Sequence, residues 1–349
     1  MSEDGARRTR PALRVGGALF WVGGLALLLA SIAVAITFGP ADIEVSDVWA
    51  VVADRAGWGH SRLSPIREGI VWELRLPRTL LAAVCGAGLG VCGAVLQSLL
   101  RNPLADPFVL GVSSGASTGA VLVVILGVGG GLVSLSAGAF LGALCAFGLV
   151  LVLGYASGGT TDRVLLAGVA AMQLFSALTS FVVISSADAE QTRGVLFWLL
   201  GSLANASWAD VWLCAAVLAV VLVVCGAKAT ALDAFAFGEE AAASLGVSVG
   251  RTRLLLLAAT ALLTATLVST SGAIGFVGLV LPHAARAIVG TGHRRLLPAT
   301  ALAGAVFLVW IDTVARTVLD PQELPVGVMT SLIGVPAFVV ILYRGRRLR

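Results

Sequence analysis

Residues 75–117 read RLPRTLLAAVCGAGLGVCGAVLQSLLRNPLADPFVLGVSSGAS. From Thr79 to Leu100 there is no charged side chain, and about 20 apolar residues are enough to cross a bilayer as a helix. Gly86 and Gly90, then Gly111, Gly115 and Gly119, recur at four-residue spacing. In lipid, such small-residue faces let helix backbones approach closely. RNPLADP, Arg101 to Pro107, is a turn: Pro103 and Pro107 stop the helix, and Asn102 and Asp106 are cap residues. A second apolar helix follows.

Working outward, the same texture fills the chain. Of 349 residues, 58% are hydrophobic and 12% charged, and mean hydropathy is +0.99. A soluble domain carries about 25% charged residues, so a soluble enzyme is excluded. The fold class is an all-α, polytopic membrane protein in a single transmembrane domain, 1–349. Ten helices are expected at about 16–38, 79–100, 109–128, 132–155, 163–186, 209–229, 253–270, 273–290, 298–318 and 326–344. The polar N-terminus, 1–15, precedes a run too long for a signal peptide. Cys85, Cys92, Cys145, Cys214 and Cys225 lie in apolar stretches and read as small packing residues.

Lys+Arg 23 against Asp+Glu 19 gives a net charge of +4, which is a topology signal rather than a nucleic-acid footprint. With both termini cytoplasmic, sixteen of the cations fall inside and seven outside, as the positive-inside rule requires. Three connections stand out. Gly39 to Arg78 is external; its SPIREGIVWELRLPR has one apolar face (Ile66, Ile70, Val71, Leu74) and is expected to lie on the membrane surface. Ala187 to Ser207 holds GVLFWLLGSL, too short to span. Thr230 to Arg253 is the longest internal connection and reads as two short helices with a break at Gly246.

Catalytic motifs are missing. A phosphate-binding loop needs G-x-x-x-x-G-K-[ST], and the one lysine, Lys228, sits in CGAKAT. His60, His283 and His293 are scattered and suggest neither a metal site nor a Ser/His/Asp set; Pro282 and His283 are expected to break or kink the eighth span. Asp312 is the clear intramembrane acid, one turn before Arg316; the pair reads as self-neutralising. The rival reading is a proton-coupled secondary transporter using Asp312.

Motifs along the chain now name a family. Beside the 75–117 stretch stand FWLLGSLANASWADV from Phe197, FGEEAAASLGV from Phe237, GFVGLVLPHAAR from Gly275 and ELPVGVMTSLIGVPAF from Glu323. In these the chain resembles the FecCD-type permeases, membrane subunits of ABC importers for iron–siderophore complexes, haem and cobalamin. The resemblance implies the type II importer permease fold in the cytoplasmic membrane. It implies pairing with a second permease subunit, itself or a paralogue, two cytosolic ATPases that hold ATP and Mg, and an extracytoplasmic binding protein. No cofactor, metal or catalytic residue is assigned to this chain.

The resemblance makes Arg75 and Arg78, with Arg316 as a third member, the docking residues for the binding protein. Read without it, they are odd: arginines at the outer end of a span and at its helix start, where the macrodipole disfavours cations. Exposed arginines suit carboxylate recognition; the plainer reading is interfacial anchoring. The resemblance makes the internal loop (Gly238, Glu239, Glu240, Ala241, Ser244, Leu245, Gly246) the coupling element that meets the ATPase, with 230–253 as its bounds. Gln97, Ser98, Ser113, Ser114, Thr330 and Ser331 are pore-lining candidates by polarity, and the cargo expected is an iron(III)–siderophore complex.

Overall fold

A computed structural model describes residues 17–59, 63–186, 188–319 and 321–346. The N-terminal arginines, His60, Arg62, Arg347 and Arg349 lie outside the described residues. The helices are α1 Gly17–Thr37, α2 Val45–Arg55, α3 Pro65–Leu99, α4 Val112–Val124, α5 Leu135–Ala156, α6 Thr161–Ser186, α7 Ala189–Leu199, α8 Trp208–Ala227, α9 Ala229–Phe235, α10 Glu239–Ser244, α11 Val249–Ser271, α12 Val277–Val289, α13 His293–Thr317 and α14 Val326–Arg346. Every apolar stretch read from the sequence is one of these helices. Among the described residues seven are long and apolar enough to cross a membrane, and three shorter apolar helices accompany them: Val112–Val124, Val277–Val289 and Val326–Val340.

The largest departure is α3. It begins at Pro65, not at Thr79, because the segment expected to lie flat on the membrane runs straight into the span. Pro77 does not start the helix. Its ring carries no N–H for the carbonyl four residues back and would clash with it. The chain widens into a π turn at Ile70–Arg75, where Leu76 N–H reaches Val71 O, and the helix continues through the proline. The connection before it also folds. Helix α2 is closed by a capping box between Glu44 and Asp47, and its Val48 and Val51 pack with Ile36, Ile43, Val71 and Leu76.

Helix α3 is the centre of the bundle: all but a few of its residues from Leu76 to Leu99 are buried. It packs most extensively on α13, then on α12, α11 and α8. Glycine makes this possible. A Cβ at Gly86 would lie 2.1 Å from Gly304 O, and one at Gly93 only 1.9 Å from Gly278 O. Helices α4 and α5 meet the same way, with a Cβ at Gly119 falling 2.0 Å from Gly138 O. Gly86, Gly90, Gly115 and Gly119 therefore form packing faces as their spacing suggests. Gly111 has another reason: at φ 71° it is the left-handed cap of α4. Four of the cysteines are buried; Cys145 is exposed on α5.

The two short helices expected at 230–253 form, as α9 and α10. The break between them is at Gly238, φ 113°, and Gly246, φ 83°, instead turns the chain into α11.

Replacing Gly93 by Ala sets a methyl against backbone that has nowhere to move. The Gly93→Ala variant is expected to lose about 1–3 kcal/mol, read as a lower melting temperature in detergent. Gly23→Ala, with nothing within 4 Å, is expected to melt no lower than the parent.

Candidate functional site

The motif residues gather at the two ends of α3. At the end expected to face outward, Arg78 is the hub. Its Nε lies 3.0 and 3.1 Å from the two Asp312 oxygens, and its Nη2 lies 2.9 Å from Oδ1. Its Nη1 donates to both Glu323 oxygens at 2.9 and 3.0 Å. One guanidinium thus holds two carboxylates, from α13 and from the turn before α14. Arg75 donates to the carbonyls of Ile36 (2.8 Å), Thr37 (3.3 Å) and Ala41 (2.9 Å). Arg316 donates to the carbonyl of Ala35. Ala35, Ile36 and Thr37 form the last turn of α1, where cations suit the helix dipole, and Ala41 lies in the connection just beyond it.

One expectation is corrected here, and a second, the Asp312–Arg316 pair, is present but joined by a nearer partner. Arg75 and Arg78 are 7% and 9% exposed, so they are no flat exposed patch, and they lie inside a helix rather than at its start. Asp312 is 3.8 Å from Arg316, but Arg78, far away in sequence, holds it at hydrogen-bonding distance. A neighbour one turn away is the obvious partner in a linear sequence. Helix packing supplied a better one.

At the opposite end, Arg253 in the first turns of α11 fastens the α9–α10 hairpin. It pairs with Glu239 and donates to Gly159 O (3.0 Å) and Thr161 Oγ1 (3.2 Å). The hairpin leaves Phe237 and Leu245 80% and 71% exposed, with Glu240 and Ser244 exposed between them. Beside it, Gln97, Ser98, Arg101, Arg286, Thr291 and His293 line a cavity of about 340 Å³.

The pore candidates divide. Gln97 is buried and structural: Pro282 cannot donate to Gly278 O, and Gln97 Nε2 supplies the missing donor at 3.2 Å, while Arg286 donates to its Oε1. Thr330 is wholly buried, its hydroxyl on Gly327 O at 3.0 Å. Ser98, Ser113, Ser114 and Ser331 are half-buried. Helix α12 is not broken at Pro282; it runs on to Val289, and His283 Nδ1 rests 2.9 Å from Leu279 O. The turn residues cap as read: Asn102 Oδ1 accepts from Leu104 N–H (2.9 Å) and Asp106 Oδ1 from Phe108 N–H (3.0 Å). Burial pushes the Asp106 carboxyl up to about 6 despite that bond.

Sequence spacing missed one constellation. His293 Nδ1 lies 2.6 Å from Asp233 Oδ1, and its Nε2 lies 2.7 Å from Ser98 Oγ. The three are separated in sequence by 60 and 195 positions, so no local motif could have announced them.

The FecCD transport family profile matches residues 27–344. The chain belongs to the FecCD transport family. It is 46% identical over 287 residues to the cobalamin import system permease BtuC of Halobacterium salinarum, covering 80% of this chain and 74% of that one. It is 36% identical over 347 residues to the hemin transport system permease HmuU of Yersinia pestis, covering 98% of each. A solved structure described as an inward-facing metal-chelate type ABC transporter superposes with a TM-score of 0.82 at 31% identity, covering 94% of this chain and 99% of that one. The chain is therefore a multi-pass ABC importer permease, the membrane subunit and not the ATPase.

Removing one partner of the Arg78–Asp312 pair strands a buried charge. Asp312→Asn is expected to cost about 3–5 kcal/mol in a denaturation experiment, whereas the double Arg78→Met, Asp312→Leu costs less because the two most buried charges leave together, Glu323 reaches water and Arg316 keeps its bond to Ala35 O. A second expectation concerns pH. The native Asp106 carboxyl holds its proton more tightly than in the unfolded chain, so its contribution to stability is full below the ordinary 3.8 and is lost as pH rises through about 6. Asp106→Asn keeps the acceptor and should raise the melting temperature above pH 6, relative to the parent, more than it does at acid pH.

Proposed function

We propose that this subunit carries an iron(III)–siderophore complex inward across the cytoplasmic membrane by ATP-driven alternating access. It would work in a dimer of permeases with two ATPase subunits and an extracytoplasmic binding protein, with both its termini in the cytoplasm. The observation that carries the reading is likeness along the whole chain to a metal-chelate type ABC transporter. Cobalamin is the second reading, favoured by the similarity to the Halobacterium permease; haem follows from the Yersinia permease. Proton coupling through Asp312 is disfavoured, because Arg78 fixes that carboxylate with three short contacts.

In this reading α9 and α10 meet the ATPase. The exposed Phe237 and Leu245 are apolar anchors that a partner groove would cover, and Arg253 gives the hairpin a rigid base. Docking of the binding protein falls to the surface built over Arg75, Arg78 and Arg316. The arginines act there from beneath, holding Glu323 and the end of α1 in place.

The test is reconstitution with the ATPase and binding protein in liposomes. Vanadate-sensitive accumulation of ferrichrome is expected; accumulation of cyanocobalamin or hemin instead would assign those cargoes. Uphill uptake without the ATPase would sink the ABC reading. Cysteine placed at Ser244 or Leu245, with the exposed Cys145 replaced by Ser, is expected to crosslink to the ATPase, and no crosslink from either position would remove the coupling assignment.

A further inference from the structure

Helices α3 and α13 are joined at both ends. Outside, Arg78 of α3 holds Asp312 of α13 at 2.9 Å. Inside, Ser98 of α3 meets His293 of α13 at 2.7 Å. Between them Gly86 and Gly304 bring the backbones together. His293 is 2% exposed, and both its backbone N–H (2.9 Å) and its Nδ1 (2.6 Å) go to one oxygen, Asp233 Oδ1. Asp233 belongs to α9, and its side chain is 41% exposed. It caps α13 and grips the ring at once.

We propose that Asp233, His293 and Ser98 are positioning residues of a relay that ties the α9–α10 hairpin to the α3–α13 pair, so that a push on the hairpin moves both transport helices together. The proposal rests on the reading of that hairpin as the ATPase contact. The line Ser–His–Asp has the order of a hydrolytic triad, but Ser98 sits within α3 with its hydroxyl 3.1 Å from Ala94 O. The surrounding backbone N–H groups are spent in the helix, so no oxyanion site faces it. The arrangement is mechanical. It also has direction. Oδ1 of Asp233 orients Nδ1–H, and the ring then presents Nε2 to Ser98; loss of either link frees the imidazole from the other helix.

The experiment uses the complete transporter in liposomes, with ferrichrome or cyanocobalamin as probe, whichever the parent accumulates. Three quantities are read: ATPase co-purified, ATP hydrolysed, and probe accumulated per ATP. Asp233→Ala removes the oxygen that both His293 donors share and Ser98→Ala removes the hydroxyl, each by truncation alone; His293→Asn keeps the Nδ1 position but cannot reach Ser98. Each variant is expected to retain co-purified ATPase and hydrolysis while accumulation per ATP falls about tenfold. His293→Asn should match Ser98→Ala. The double variant Asp233→Ala, Ser98→Ala should be no worse than the poorer single, since links in series fail together. Accumulation per ATP equal to the parent in Asp233→Ala and Ser98→Ala overturns the relay, as does a strictly additive loss. A parent that accumulates probe without its ATPase brings down the hairpin reading first, and the relay with it.

Discussion

The close approach of α3 to α13 is the constraint on which the rest depends. Lipid tails are as apolar as leucine, so helices in a membrane are not driven together by hiding from water; they associate where backbones can touch. Gly86 against Gly304 and Gly93 against Gly278 are such places. They put α3 in the middle of the bundle, with α8, α11, α12 and α13 around it. Once α3 is enclosed, every polar side chain on it must find its partner within the protein.

That requirement explains the arginines. Arg78 is buried by the position of its helix and needs acceptors there; Asp312 and Glu323 supply them. Arg75 and Arg316 reach carbonyls of the last turn of α1 and so cap a neighbouring helix. The helix-dipole objection to arginines at a helix start does not arise. They are within α3 and α13, and the dipole they meet is the favourable end of α1.

The other end of α3 follows the same rule with different chemistry. Pro282 deprives Gly278 of its donor, and Gln97 replaces it across the interface. Ser98 meets His293, and Asp233 brings the hairpin to the same point. Motif residues that look polar enough to line a channel are here joints between helices. Phe237 and Leu245 on the hairpin stay exposed, and Arg253 fastens the hairpin that carries them.

Composition and hydropathy decided a polytopic helical protein and the place of its apolar helices, because burial in lipid needs long uncharged runs that stand out in any sequence; the family was legible only in the motifs strung from Arg75 to Phe338. The turn caps at Asn102 and Asp106 were equally legible, since they bond within two residues. Partners across the bundle were not. Arg78 chose Asp312 and Glu323 over any neighbour, α3 reached back to Pro65, and Ser98, His293 and Asp233 met from three separate helices. Hydrophobic periodicity says which residues leave water, but which of them touch is set by helix packing, and only the assembled bundle fixes that.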